Sequence, residues 1–193
     1  MSATNRGAER RADDFYATPP WCVDSLLRGC ALPGGRWLEP TAGDGAIVGE
    51  VLRHRNDVEW HLVESRAEEI HANGGLLQRM LRDDFDASRV ASVEIRDFLT
   101  MPAPTQLYDV ALGNPPFSLA LEVVQHAMRM SRIVCMLLRV NFLASQKRRE
   151  WMQANTPSIY VLPRRPSFTG AGTDATEYAW FVWDGQPARV VIL

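Results

Sequence analysis

A chain of 193 residues, 46% of them apolar and 23% charged, has the size and apolar content of one folded domain. Its longest uninterrupted apolar run, Ile133 to Leu138, falls far short of the roughly 18–20 residues that cross a bilayer, so no membrane span is expected. Net charge is −2, which excludes a uniformly basic polyanion binder, yet residues 1–117 carry −6 and residues 118–193 carry +4. That split fits a basic face turned toward a polyanion and fits a solvated charge mixture equally well.

Residues 1–13 hold the pair Arg10 and Arg11 with no apolar stretch behind it, which predicts a disordered lead-in rather than an export signal. Residues 14–193 are expected to form a single domain. Three cysteines without C-x-x-C spacing argue against a disulfide scaffold and against zinc, and fit a reducing cytoplasm. The spacing predicts helices at 21–28, 46–55, 67–81, 119–130 and 144–154, and strands at 36–40, 59–64, 93–97, 108–113, 132–140, 158–162 and 178–183. Strands separated by helical crossovers predict a doubly wound, Rossmann-like α/β fold with a seven-stranded, mostly parallel sheet. The loop 163–177 shows no helical period, so the last strand should close the sheet antiparallel. Ligands bind such sheets at the carboxyl ends of the strands.

After the first strand comes Glu39-Pro40-Thr41-Ala42-Gly43-Asp44-Gly45, an acid and two glycines at a tight strand-to-helix turn, where glycine lets a ligand approach the backbone. Glu64 ends the second strand 19 residues past Gly45, about the spacing that places a carboxylate on ribose hydroxyls. Asp97 and Phe98 end the third, where a carboxylate can accept from an adenine amino group and an aromatic can pack on the ring. There is no Gly-x-x-x-x-Gly-Lys phosphate cradle, so a nucleoside without phosphates fits best. The fourth strand ends in Asn114-Pro115-Pro116-Phe117, the most specific feature of the chain. Two prolines stop the sheet ladder, which releases the Pro115 carbonyl as an acceptor beside the Asn114 side-chain oxygen. Two acceptors converging on one amino group would hold an exocyclic amine with its lone pair toward an electrophile. Phe117 offers a flat face for a base.

The ordered set Phe15 to Pro20, Glu39 to Gly45, Glu64, Asp97-Phe98 and Asn114 to Phe117 resembles class I S-adenosylmethionine-dependent amino-methyltransferases, most narrowly DNA N6-adenine methyltransferases. The resemblance implies that Tyr16, Thr18 and Pro19 touch the methionine end of S-adenosylmethionine, and that Glu39, Pro40, Ala42, Gly43 and Gly45 form the cofactor loop. It implies that Glu64 holds the ribose, that Asp97 and Phe98 hold the cofactor adenine, and that Asn114 borders the cofactor while Asn114, Pro115, Pro116 and Phe117 hold the target amine. Phe168 then stands where such enzymes stack an aromatic on the flipped base, and Arg164 or Arg165 could meet phosphate; a mobile glycine-rich loop with one exposed Phe fits that segment equally well. Only 76 residues follow Phe117, which leaves no room for a separate target-recognition domain, so a nucleic-acid partner, DNA foremost, would be single-stranded or weakly sequence-specific.

Lys147-Arg148-Arg149 reads as a solvated helix face or a phosphate contact, and no histidine has metal-ligand spacing. The function expected is methylation of adenine N6 in DNA by direct in-line transfer, with no covalent intermediate and no metal. An amine in RNA, a glutamine amide in a protein, and an inactive binding module of the same fold remain alternatives.

Overall fold

The computed structural model describes residues 17–82, 85–168 and 172–193. The elements run α1 (Pro20–Gly29), β1 (Gly35–Glu39), α2 (Ala46–His54), β2 (Val58–Glu64), α3 (Ala67–His71), α4 (Leu76–Leu81), β3 (Val90–Ile95), β4 (Tyr108–Gly113), α5 (Ala120–Met130), β5 (Ser131–Arg139), α6 (Arg149–Ala154), β6 (Ser158–Val161), β7 (Tyr178–Trp183) and β8 (Val190–Ile192). They build one sheet in the order β3-β2-β1-β4-β5-β7-β6-β8. β7 is antiparallel to both of its neighbours, β5 and β6, and every other pairing is parallel.

Alternation along the central strands sends successive side chains to opposite faces, and each face has its own core. On one face Val110, Leu112, Cys135, Leu137, Trp180 and Val182 meet Cys22, Val23 and Leu26 of α1 and Ile47, Val48 and Val51 of α2. On the other, Ala111, Val134, Met136, Leu138, Ala179 and Phe181 meet Val123, Val124 and Ala127 of α5 and Met152 of α6. The indole of Trp180 ties β7 to α1 by donating to the Cys22 carbonyl at 2.8 Å in the core. Trp180→Phe removes that bond and leaves a void, so thermal denaturation should show a loss of about 1–3 kcal/mol.

The structure departs from the sequence reading in three elements. The sheet has eight strands rather than seven, because Val190–Ile192 pairs parallel with β6. The helix expected over 67–81 is two short helices, α3 and α4: Gly74 has φ +82, and a Cβ on Gly75 would sit 2.3 Å from the Glu69 carbonyl. The helix expected over 144–154 begins only at Arg149, after single turns of 3₁₀ helix at Val140–Leu143 and Gln146–Arg148.

Candidate active site

The carboxyl end of β1 leads into the glycine turn and then into α2, and main-chain bonds fix the path. Ala42 N–H donates to the Val63 carbonyl at 2.9 Å, and Gly45 N–H donates to the Ala42 carbonyl at 2.8 Å. Gly43 and Gly45 have φ +54 and +77, and Gly45 is the N-cap of α2. A Cβ on Gly45 would also lie 2.5 Å from Leu76 Cδ1 of α4. Gly45→Ala should therefore lower stability by about 1–3 kcal/mol in a thermal melt, from left-handed strain and from displacement of α4.

Glu64, at the end of β2, is buried and joined to this turn: its Oε2 accepts the Gly43 N–H at 2.8 Å, and its Oε1 accepts Arg66 N and Nε, each at 3.0 Å. Glu39 is 1% exposed, its Oε2 has no hydrogen-bond partner among the described residues, and the same is true of the buried Thr41 Oγ1. Burial, with Asp44 and Glu64 nearby, raises the Glu39 carboxyl well above the ordinary carboxylate range; Arg79 and a bond from the Val48 N–H pull the other way. Burial likewise raises Asp44, which Arg79 Nη1 approaches at 3.6 Å. A buried carboxylate oxygen and a buried hydroxyl two residues apart in the chain, neither with a partner among the described residues, fit a ligand that brings a cationic donor.

Asp97 lies two residues beyond β3, where its Oδ1 accepts the Leu99 N–H at 2.9 Å and caps a 3₁₀ turn at Phe98–Thr100. That turn sends Phe98 inward, 3% exposed and edge-on to His126 with ring centroids 4.7 Å apart. The Phe98 ring is therefore part of the core and does not present a face to a ligand as expected; what this position offers at the surface is the exposed Asp97 carboxylate.

Gly113 at the end of β4 comes close to the first turn: a Cβ there would be 3.2 Å from Pro40 Cδ. Asn114 follows, and its Nδ2 donates to Oγ1 of the buried Thr18 at 3.1 Å. Pro116 spends its carbonyl on Leu119 N–H at 3.0 Å, while the Pro115 carbonyl accepts no hydrogen bond from the described residues. Thr18, the Glu39 turn and the Asn114 segment thus converge at one edge of the sheet. Pro19 is the N-cap of α1, its carbonyl accepting from Cys22 N at 2.9 Å, and Tyr16 lies outside the described residues, as does the expected lead-in 1–13.

Farther along the same edge Phe117, Tyr178 and Phe168 form an aromatic cluster, with centroids 5.9 Å apart for Phe117–Tyr178 and 5.0 Å for Phe168–Tyr178. Arg164 and Arg165 are exposed; Arg164 lies over the Trp21 ring at 4.5 Å, and Arg165 pairs with Glu177. The sequence reading missed Arg139, Tyr178 and Asp174. Arg139 Nε donates to the Tyr178 hydroxyl at 3.0 Å, the Tyr178 hydroxyl donates to Asp174 Oδ2 at 2.6 Å, and the Arg139 guanidinium lies over the Phe117 ring at 4.0 Å. The available signal was a charged residue ending a nine-residue, otherwise largely buried strand.

All three cysteines are free and buried, and burial pushes the Cys22 thiol up to about 12, so it stays protonated and is no nucleophile. Among the described residues no group of three or more His, Cys, Asp or Glu is placed to hold a metal ion. Among the described residues no helix is long and apolar enough to cross a membrane.

No protein-family model and no curated protein matches the sequence. Solved structures do match. A predicted O-methyltransferase from Agrobacterium tumefaciens shares 21% identity and a TM-score of 0.63, over 90% of this chain and 84% of that one. The 23S rRNA methyltransferase ErmE shares 13% and 0.62, over 87% and 68%. A modification subunit assigned to a type I restriction enzyme of Vibrio vulnificus shares 16% and 0.61 over 91% of this chain, which spans less than half, 46%, of that subunit. The fold is that of the class I methyltransferases.

Proposed function

We propose that the protein transfers a methyl group from S-adenosylmethionine to the exocyclic N6 amine of adenine in DNA. The observation that carries this reading is the end of β4, where an asparagine amide is anchored by Thr18 beside a Pro115 carbonyl that accepts no hydrogen bond from the described residues. Neither group is a base at neutral pH, so both can only accept from and orient an amine that does its own attacking.

S-adenosylmethionine supplies an activated methyl, and the rest is positioning. Glu39 and Thr41, with their unsatisfied buried oxygens, suit the cofactor's ammonium. Glu64, with its remaining lone pairs, suits the ribose hydroxyls, and Asp97 the adenine amino group. Ala42, Gly43 and Gly45 bring backbone to the cofactor, with Pro40 setting the turn against Gly113. Asn114 and Pro115 accept hydrogen bonds from the two N–H groups of the target amine, Pro116 holds the turn, and Phe117 with Phe168 receives the base. Arg164 and Arg165 are exposed and suit the phosphates of the strand. In duplex DNA the base must leave the stack to reach this edge.

The test is incubation with methyl-labelled S-adenosylmethionine and unmethylated DNA, RNA and protein, followed by digestion and nucleoside chromatography. Label in N6-methyldeoxyadenosine is the expected result. Label only in RNA would favour the second reading, which the structural similarity to a 23S rRNA methyltransferase supports. Label in protein glutamine, or cofactor binding with no product on any substrate, would overturn the proposal.

A further inference from the structure

The Phe117 ring is not open on every side. Arg139 ends β5, the strand beside β4, three residues past Met136, which their register pairs with Gly113 at the end of β4. Its guanidinium carbon lies 4.0 Å from the Phe117 centroid. That is contact distance, whereas a base stacked on the same face needs that space for itself, since stacked carbons sit at about 3.5–4 Å. The guanidinium and a base cannot share the face.

Arg139 is held there by groups on β7 and in the loop before it. Register pairs it with Tyr178, whose hydroxyl accepts from its Nε at 3.0 Å, and Asp174 Oδ2 approaches its Nη2 at 3.5 Å. The loop carrying Asp174 folds on itself, with Asp174 N–H on the Pro166 carbonyl at 2.8 Å and Ser167 Oγ on the Gly172 carbonyl at 2.6 Å. The Arg139 side chain is 32% exposed and Asp174 is 22% exposed, so the guanidinium can be exchanged for another planar group without unpacking the core. Guanidinium and nucleobase are both flat and polarizable, and both bind an aromatic face.

We propose that Arg139 is a stand-in for the target base: in the substrate-free protein its guanidinium occupies the Phe117 face that receives the adenine, and the base must displace it. Tyr178 and Asp174 set how firmly it is held. The net affinity for a base is then a difference between two stackings on one ring, and Arg139 lowers it for every base that enters. The inference rests on the methyltransferase reading above.

The experiment compares two single-stranded oligodeoxynucleotides, identical except that one has a single central adenine and the other an abasic site at that position. Fluorescence anisotropy with S-adenosylhomocysteine present gives the ratio of the abasic Kd to the adenine Kd, in which phosphate contacts cancel. Arg139→Ala should raise this ratio about three- to thirtyfold over the unsubstituted protein, the range expected for loss of a competing cation-aromatic contact. Asp174→Asn, which weakens the hold on Arg139 and leaves the arginine in place, should raise it by less. A ratio that is unchanged or lower in both variants would overturn the stand-in. A ratio of one in all three proteins would overturn the adenine reading itself, and the stand-in with it.

Discussion

Asn114→Ala is expected to lower the rate of methyl transfer by about 10²–10³-fold, the usual cost of removing one group that orients or stabilises the reacting centre. Cofactor affinity should stay within about fivefold, because the bond from the amide to Thr18 is neutral, and a lost neutral hydrogen bond is worth about 1 kcal/mol. Single-turnover transfer of labelled methyl and calorimetric titration with S-adenosylmethionine separate the two quantities. Equal losses in rate and in affinity would mean that Asn114 shapes the cofactor site and does not present the amine. Thr18→Val offers a graded control. It removes the anchor and keeps the amide, so the rate should fall by a smaller factor than in the alanine variant.

Glu39→Gln should have opposite effects on binding and on stability. This carboxyl is buried, one of its oxygens accepts no hydrogen bond from the described residues, and burial raises it well above its ordinary value. The unfolded chain therefore releases the Glu39 proton at a lower pH than the native protein does. Between the ordinary carboxylate value and the raised one the native state holds more protons, so Glu39 makes the cofactor-free protein progressively less stable as pH rises through that window. Glutamine has no such proton, and its variant should lose less stability than the native protein between mildly acidic and neutral pH in thermal melts. Binding should move the other way. A carboxylate paired with the cofactor ammonium is a charge-assisted bond, and its loss should weaken S-adenosylmethionine binding by about 10–100-fold. If the glutamine variant bound as tightly as the original, the ammonium would have to lie elsewhere.

How far the sequence reveals this protein depends on which residues carry the signal. The seven longer strands were legible because they are apolar or β-branched over four or more residues, and the last of them coincides with Tyr178–Trp183. β8 was not legible: it is three residues long, and Val190 and Ile192 are each 71% exposed. The acids and glycines of the turn after β1 were readable as a site, since strand, turn and helix follow one another in a fixed order. The burial of Glu39 and the rise in its pKa were not, because burial and the approach of Glu64 from β2 and Arg79 from α4 exist only once the chain is folded. Phe98 shows the limit most plainly. Its place after a strand suggested a ring laid on a ligand, but the Asp97-capped turn rotates the next residue toward α5 and into the core. Arg139 was hidden for a different reason, as one charge at the end of a strand whose interior is almost wholly buried.

The reversed strand β7 has a consequence for how the chain could change over time. Because β7 is antiparallel to β6, the segment from Leu162 to Glu177 leaves and re-enters the sheet at the edge where the site lies, and both of its ends are clamped by paired strands. Lengthening such a closed loop costs only about 0.6 kcal/mol for each doubling. The segment is therefore a natural graft point: new sequence can be spliced in beside the Phe117 ring with the strand order and both cores untouched, so the surface at this edge can drift while the framework stays the same.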